Sequence, residues 1–88
     1  MRLNRSSDAA RRTLNTVPYG RWVTVLGVLG SGLISLRLME MGLVPGAWVS
    51  VIRSAPLGDP IQVKIRDYQL ALRRAEAELI HVKLETTL

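Results

Sequence analysis

The chain has 88 residues, no cysteine and a single histidine, His81, and it carries a formal net charge of +5. A chain of this length forms one domain that buries only about 60–65% of its unfolded surface, so a deep active-site cavity is not expected. The lack of cysteine excludes disulfides, thiolate metal sites and cysteine nucleophiles, and one histidine removes most zinc and acid–base arrangements.

The basic surplus lies mainly near the N-terminus. Residues 1–20 carry four basic side chains against one acidic, a balance of +3, whereas residues 21–88 carry eight against six, a balance of +2. We predict a flexible basic arm over residues 1–12 and one folded domain over residues 13–88. A nucleic-acid-binding domain should carry its surplus on the folded part, so no nucleic-acid partner is expected. At most, the arm supports weak contact with an anionic membrane.

An uncharged and mostly apolar run extends from Trp22 to Leu36. A membrane-spanning helix needs roughly 20 residues, whereas this run is shorter, is interrupted by glycines and is followed by Arg37. It also begins too late for a typical signal peptide. We therefore predict that the run folds within the domain.

A strand and a short helix are predicted in this region. Arg21–Val28 is rich in β-branched residues and predicts a strand with Val23 and Val25 on one face. Leu33–Met41 predicts a helix with Ser31 as its N-cap. The intervening glycines allow a phosphate-binding interpretation, but no Gly-Lys-Ser/Thr sequence follows and no βαβ unit surrounds them, so a structural turn is favoured.

The apolar spacing of the helix predicts which side is buried. Ile34, Leu38 and Met41 lie at i, i+4 and i+7 and form the predicted buried stripe, and Gly42 follows as a C-terminal cap. The apolar residues off this stripe leave two interpretations open. Either the helix closes one end of a barrel and buries them, or they line a groove for a partner. They are Leu36, Met39 and Leu43.

A β-hairpin is predicted around Ala55–Pro60. Residues 49–53 and 61–66 alternate in polarity, and the two prolines, glycine and aspartate between them cannot continue either strand. A tight turn at Arg66–Asp67 and a third strand over Tyr68–Leu72 follow.

The chain then predicts one helical turn over Arg74–Leu79 and a last strand over His81–Leu84. Five to six short strands with one or two short helices indicate a mainly β fold, a small barrel.

Three sequence blocks occur in the order and spacing of a known family. They are RLMEMGLVPG at 37–46, APLGDPI at 55–61 and LALRRAEAELIHV at 70–82. They resemble the motifs R-L-x-E-x-G-x-x-P-G, A-P-x-G-D-P-I and L-A-L-R-x-x-E-A-x-x-I-x-V of the ferrous-iron transport protein A (FeoA) family. The resemblance covers about residues 13–84. It departs at Asp67, where the family often has glycine, but aspartate tolerates turn geometry.

The resemblance implies an SH3-like β-barrel that acts as a non-enzymatic cytosolic accessory of a membrane ferrous-iron transporter with a GTPase domain. The implied location is cytoplasmic, or peripheral at the inner face of the membrane through this partner, with self-association left open. No catalytic or metal-ligating residue and no cofactor is predicted. Ferrous iron is left open, although the ligand spacing does not support it.

Contact with the transporter is predicted for residues on two strands, the helix and the hairpin loop. Trp22 and Trp48 lie opposite the valines of their strands, so they either contact a partner or fold over the rim of the barrel. The complete set of partner-binding candidates is Trp22, Arg37, Met39, Trp48, Pro56, Leu57 and Asp59. The predicted structural turn residues are Gly42, Pro45, Gly46, Gly58 and Pro60.

A second function is left open, in which the domain is a metal- or nucleotide-responsive sensor that regulates iron homeostasis. Glu76, Glu78 and His81 are the residues considered for a metal cluster. We expect His81 to face solvent, and carboxylates beside basic side chains are typical of a solvated surface.

Overall fold

The computed structural model describes residues 11–84 and contains six short strands, two α-helices and one 3-10 helix. The elements in chain order are β1 (Arg11–Thr13), the 3-10 helix (Leu14–Thr16), β2 (Trp22–Val28), α1 (Leu33–Glu40), β3 (Trp48–Ser54), β4 (Ile61–Ile65), β5 (Tyr68–Leu72), α2 (Arg74–Ala77) and β6 (Ile80–Leu84). The strands form one antiparallel sheet in the order β1-β6-β2-β3-β4-β5.

One face of this sheet makes the core. Val23 and Val25 of β2 are buried, and Ile61, Val63 and Ile65 of β4 are buried at alternate positions, as the sequence predicts. The same inner face includes valines of β3 and β6. Because the two helices are too short to cover a flat sheet of six strands, the sheet curls around its own apolar face, as in a small barrel.

The N-terminal boundary of the domain differs from the prediction. Arg11 and Arg12 were expected in the flexible arm, but they belong to β1, which pairs antiparallel with β6 through Arg11–Lys83 and Arg12–Val82. Strand pairing with a distant segment leaves no local sequence signal, so the composition alone placed these residues in the arm. The rest of the predicted arm lies outside the described residues.

Helix α1 is oriented differently from its predicted stripe. Its buried residues are Ser35 and Leu38, whereas Ile34 is half exposed and Met41 is only partly buried. The Ser35 hydroxyl donates a hydrogen bond to the Leu29 carbonyl oxygen at 2.7 Å, which holds this side of the helix against the preceding turn. The N-cap is Gly32 rather than the predicted Ser31.

The C-terminus of α1 forms a Schellman motif. The Gly42 amide donates to the Met39 carbonyl at 3.0 Å, and the Leu43 amide donates to the Leu38 carbonyl at 3.1 Å. Leu38 and Leu43 are fully buried, which supplies the apolar contact typical of this motif. Leu43 is therefore a core residue and not part of a groove. Gly42, with a φ of 107°, occupies the left-handed position that the sequence predicts for it.

Gly42 also makes a close approach to Tyr68, which gives a testable prediction. A Cβ at Gly42 would lie 2.6 Å from the Tyr68 hydroxyl, which bonds the Met41 carbonyl. Gly46 has a similar φ of 92°, but a Cβ there would have no neighbouring atom within 4 Å. We expect Gly46→Ala to lower the free energy of unfolding by about 1–2 kcal/mol and Gly42→Ala by about 1 kcal/mol more. Urea denaturation of both variants measures the difference, and equal losses would contradict the Tyr68 contact.

The uncharged run Trp22–Leu36 is divided between β2, a glycine-containing turn and the start of α1. Among residues 11–84, no helix combines the length and apolar character needed to cross a membrane.

Candidate functional site

Helix α1 presents an apolar surface to solvent. Leu33 is 80% exposed, and Ile34 and Leu36 are each about half exposed. Leu33, Leu36 and Met39 follow one another at i, i+3 and i+6, so they form a row along the helix. Leu29 is also exposed, in the turn whose carbonyl accepts the Ser35 hydrogen bond. We call these residues, Leu29, Leu33, Ile34, Leu36 and Met39, the helix face.

The helix face is held on a fixed support. The buried Leu38 attaches α1 to the core, and the Ser35 hydroxyl attaches it to the preceding turn. On one flank, the Arg37 guanidinium lies 3.5 Å from the Glu76 carboxylate of α2. Glu76 also accepts a hydrogen bond of 2.9 Å from the Arg73 amide at the start of α2. The apolar row is thus displayed by a helix that is held by Ser35 and Leu38 and paired with α2 through Arg37.

The loop Ala55–Pro60 is built by backbone hydrogen bonds and by Arg74. The Gly58 amide donates to the Ala55 carbonyl at 2.8 Å, and the Ala55 amide donates to the Pro60 carbonyl at 2.9 Å. The Asp59 carboxylate accepts a hydrogen bond of 3.0 Å from the Arg74 amide, at the first residue of α2. This gives Asp59 an internal structural role in addition to its predicted contact role.

The Arg74 side chain connects three separate parts of the chain. Its guanidinium donates to the carbonyl oxygens of Gly58 and Asn15 and to the Tyr19 hydroxyl. The Arg74 guanidinium therefore bonds the loop, the 3-10 helix region and the turn at Tyr19 to one another. Of the loop residues predicted to contact a partner, Leu57 projects farthest and is 97% exposed.

The environment of Tyr19 predicts a pH effect. A hydrogen bond with Ser54 is the main cause that lowers the pKa of Tyr19 below its ordinary value. Desolvation opposes this shift, and the charge and hydrogen bond of Arg74 add to the lowering. The folded state therefore releases this proton at lower pH than the unfolded chain. Stability should consequently rise as pH increases from the lowered pKa towards the ordinary tyrosine pKa.

The chain has only two tyrosines, so Tyr19 titrates alone in a Tyr68→Phe variant. Absorbance titration of that variant should give a midpoint below that of the urea-unfolded chain, and adding Arg74→Gln should raise it. A folded midpoint at or above the unfolded one would contradict this environment.

The two tryptophans form a second apolar feature, on the outer side of the sheet. Their ring centroids are 6.1 Å apart with an interplanar angle of 33°. Trp48 is 54% exposed, and Trp22 is half buried. Neither ring belongs to the buried core, and the two lie beside each other at the sheet surface.

The predicted contact residues lie in three separate places in the structure. Arg37 and Met39 lie on α1, Trp22 and Trp48 form the pair on the outer sheet face, and Pro56, Leu57 and Asp59 lie on one loop. Sequence reasoning missed Leu29, Leu33 and Ile34 as parts of the exposed helix surface. The uncharged run Trp22–Leu36 contains all three, and it was the sequence feature that could have indicated an exposed apolar surface. The predicted turn residues Gly42, Pro45, Gly46, Gly58 and Pro60 all lie in turns or bends.

The residues considered for a metal cluster do not converge. Within residues 11–84, no group of three or more histidine, aspartate or glutamate side chains is placed to hold a metal ion, and Glu76, Glu78 and His81 all lie in this range. Glu76 instead pairs with Arg37. Direct binding of iron stays untested, as does the prediction that no cofactor is bound.

Comparison with known families identifies the domain. A model of the FeoA domain matches residues 12–84, which is most of the chain. The chain belongs to the FeoA domain family. This confirms the resemblance seen in the three sequence blocks, and the matched region includes part of β1 and the whole of β6.

Solved FeoA structures share the fold. A FeoA-like protein from Clostridium acetobutylicum is 33% identical and superposes with a TM-score of 0.80, covering 90% of this chain and 92% of that one. The zinc complex of Stenotrophomonas maltophilia FeoA, described as a prokaryotic SH3-domain protein, is 31% identical with a TM-score of 0.72, covering 81% and 88%. The prediction of a mainly β, SH3-like barrel is confirmed.

One curated relative joins this domain to a transporter. An Fe(2+) transport protein A/Fe(2+) transporter FeoB fusion protein from Porphyromonas gingivalis is 38% identical over 71 residues. The match covers 81% of this chain but only 8% of the fusion protein. The FeoA domain therefore spans a small part of that relative.

Proposed function

We propose that this FeoA-domain chain is a non-enzymatic accessory of ferrous-iron uptake that binds the cytosolic part of a FeoB-type transporter through the helix face. The observation that carries the proposal is the exposed row Leu33–Leu36–Met39 on an anchored helix. A contiguous apolar surface of this kind is typical of a protein interface, and an amphipathic helix fits an apolar groove.

The fusion relative supports this assignment of the partner. Covalent linkage of two domains replaces a bimolecular encounter by an intramolecular one, with an effective concentration in the millimolar range for a short linker. Such linkage keeps a FeoA domain near the transporter, which is useful when the two domains contact each other. The helix face offers a surface for this contact, and the exposed Arg37 and Glu40 lie on the same helix. In this proposal the chain works in the cytoplasm, at the inner face of the membrane through its partner.

Binding to the isolated cytosolic part of the transporter tests the proposal. We expect the full chain to form a one-to-one complex with it, measured by calorimetry in the absence of lipid. The same instrument tests the sensor function, because ferrous iron, manganese and guanine nucleotides are each titrated into the chain alone. Heat from the transporter domain and none from the small ligands supports the accessory role. Tight binding of a small ligand without binding of the transporter domain would overturn it.

A further inference from the structure

The outer face of the sheet carries both tryptophans and both lysines of the chain, and we propose that this face binds the headgroups of an anionic membrane. The proposal goes beyond the accessory function, because it concerns a different surface and a lipid rather than a protein. We call Trp22, Trp48, Lys64 and Lys83 the tryptophan–lysine patch.

Strand register brings these four side chains together. Directly paired residues of an antiparallel sheet point to the same face. One cross-strand row contains Lys83, Thr24 and Trp48, since Thr24 pairs with both of the others. The neighbouring row contains Trp22, Ser50, Lys64 and Gln69, paired in that order. The two rows lie side by side, and the rings of the two tryptophans meet between them.

The rows lie on the outside of the barrel. Their members alternate along the strands with the fully buried Val23, Val49, Val63 and Val82 of the core. Ser50 is the exception, because it is buried although it lies on the outer side. It stands directly opposite Trp22 and two residues after Trp48.

The chemistry of the patch matches a membrane interface more closely than an aqueous surface. Tryptophan is enriched at the headgroup level, where its ring is apolar and its indole N–H remains hydrated. Lysine side chains place their methylenes along apolar surface and their ammonium groups at the phosphates. None of the seven residues in the two rows is acidic. Arg66 adds a further exposed cation, one residue beyond the Ile65–Val49 pair.

The patch is spread across several strands of the sheet. Its four side chains lie on β2, β3, β4 and β6. Basic residues near an anionic leaflet each contribute about 1 kcal/mol of attraction. Rings and single charges distributed over four strands favour an extended membrane surface over a compact acidic peptide.

Vesicle binding of the full chain tests the proposal through its own tryptophans. The chain has two tryptophans, and both lie in the patch, so a blue shift of the intrinsic emission reports the patch directly. We expect binding and a blue shift with vesicles of phosphatidylglycerol mixed into a majority of phosphatidylcholine, and neither with pure phosphatidylcholine. Lys64→Gln/Lys83→Gln should weaken binding about 30-fold, the equivalent of about 1 kcal/mol per lysine.

The matched control is Arg37→Gln/Arg73→Gln, which lowers the net charge equally but lies on α1 and before α2. It should change vesicle affinity less than 3-fold. Equal weakening by both pairs would overturn the proposal, because net charge alone would then explain binding. So would binding without a blue shift, binding to neutral vesicles alone, or binding to a single-stranded oligonucleotide in place of vesicles. These outcomes do not depend on the transporter, so they leave the accessory function to its own test.

Discussion

Leu38→Ala is expected to lower the free energy of unfolding by about 2–5 kcal/mol, the range for removing a fully buried leucine. Leu38 has no exposed surface, and its carbonyl accepts the Leu43 amide in the Schellman motif. It is therefore the main apolar attachment of α1 to the core. Because a small domain has about 5–15 kcal/mol of total stability, this loss is a large fraction of it. Urea denaturation at neutral pH is the measurement.

Ile34→Ala is the matched control for this prediction. Ile34 lies on the same helix and in the same predicted stripe, but it is 50% exposed. We expect its truncation to lower the free energy of unfolding by less than about 1 kcal/mol. If Leu38→Ala does not fold while Ile34→Ala does, only the loss at Leu38 exceeds the stability of the domain, and the comparison still holds. Similar losses for Ile34→Ala and Leu38→Ala would contradict the observed orientation of α1.

Leu33→Asp/Leu36→Asp is expected to weaken binding of the transporter's cytosolic part more than 100-fold. Both side chains are central in the helix face, and truncation of one hot-spot residue can cost about 2 kcal/mol or more in binding free energy. Two carboxylates placed in an apolar interface add a desolvation penalty. Because both residues are exposed in the free chain, the free energy of unfolding should change by less than about 1 kcal/mol. Calorimetry with the wild-type and variant chains measures the loss.

Leu57→Asp is the control that distinguishes loss of a specific interface from a general loss of exposed apolar surface. Leu57 is more exposed than either helix residue, but it projects from the 55–60 loop. We expect this variant to bind the transporter domain with an affinity within 3-fold of the wild type. A loss in Leu57→Asp that matches the loss in the helix variant would place the docking surface at the loop instead.

The strands could be predicted because their pattern is set by burial alone. Ile61, Val63 and Ile65 alternate with polar residues. Because side chains of a strand alternate between its two faces, burial of one face determines which residues point inward. The loop Ala55–Pro60 and the cap at Gly42 could also be predicted, since proline and glycine restrict or extend backbone geometry locally. These local signals were sufficient for the fold class.

The orientation of α1 could not be predicted from its apolar spacing. Ile34 and Leu38 fit the predicted stripe equally well, but only Leu38 faces the core. The helix is rotated this way because the Ser35 hydroxyl bonds the Leu29 carbonyl. A hydropathy pattern places a polar residue such as serine on the exposed side, so it does not predict a buried Ser35. The helix is also only eight residues long, so one hydrogen bond and one buried leucine decide its rotation.

Local sequence patterns could not predict the features that join distant segments of the chain. The pairing of β1 with β6 and the contacts of Arg74 with Asn15 and Tyr19 join the beginning of the domain to its end. The tryptophan–lysine patch depends in the same way on the register of β2, β3, β4 and β6. Each of these features follows from the folded topology rather than from residue types near one another in the chain.

The most direct test of the accessory function is a chemical-shift map of the docking surface. The ¹⁵N-labelled chain is titrated with the unlabelled cytosolic part of a FeoB-type transporter, without lipid. We predict that the amide signals of residues 29–40 shift or broaden together, while the indole signals of Trp22 and Trp48 stay in place. Absence of any change, or changes confined to the 55–60 loop or to the tryptophan–lysine patch, would contradict docking through the helix face.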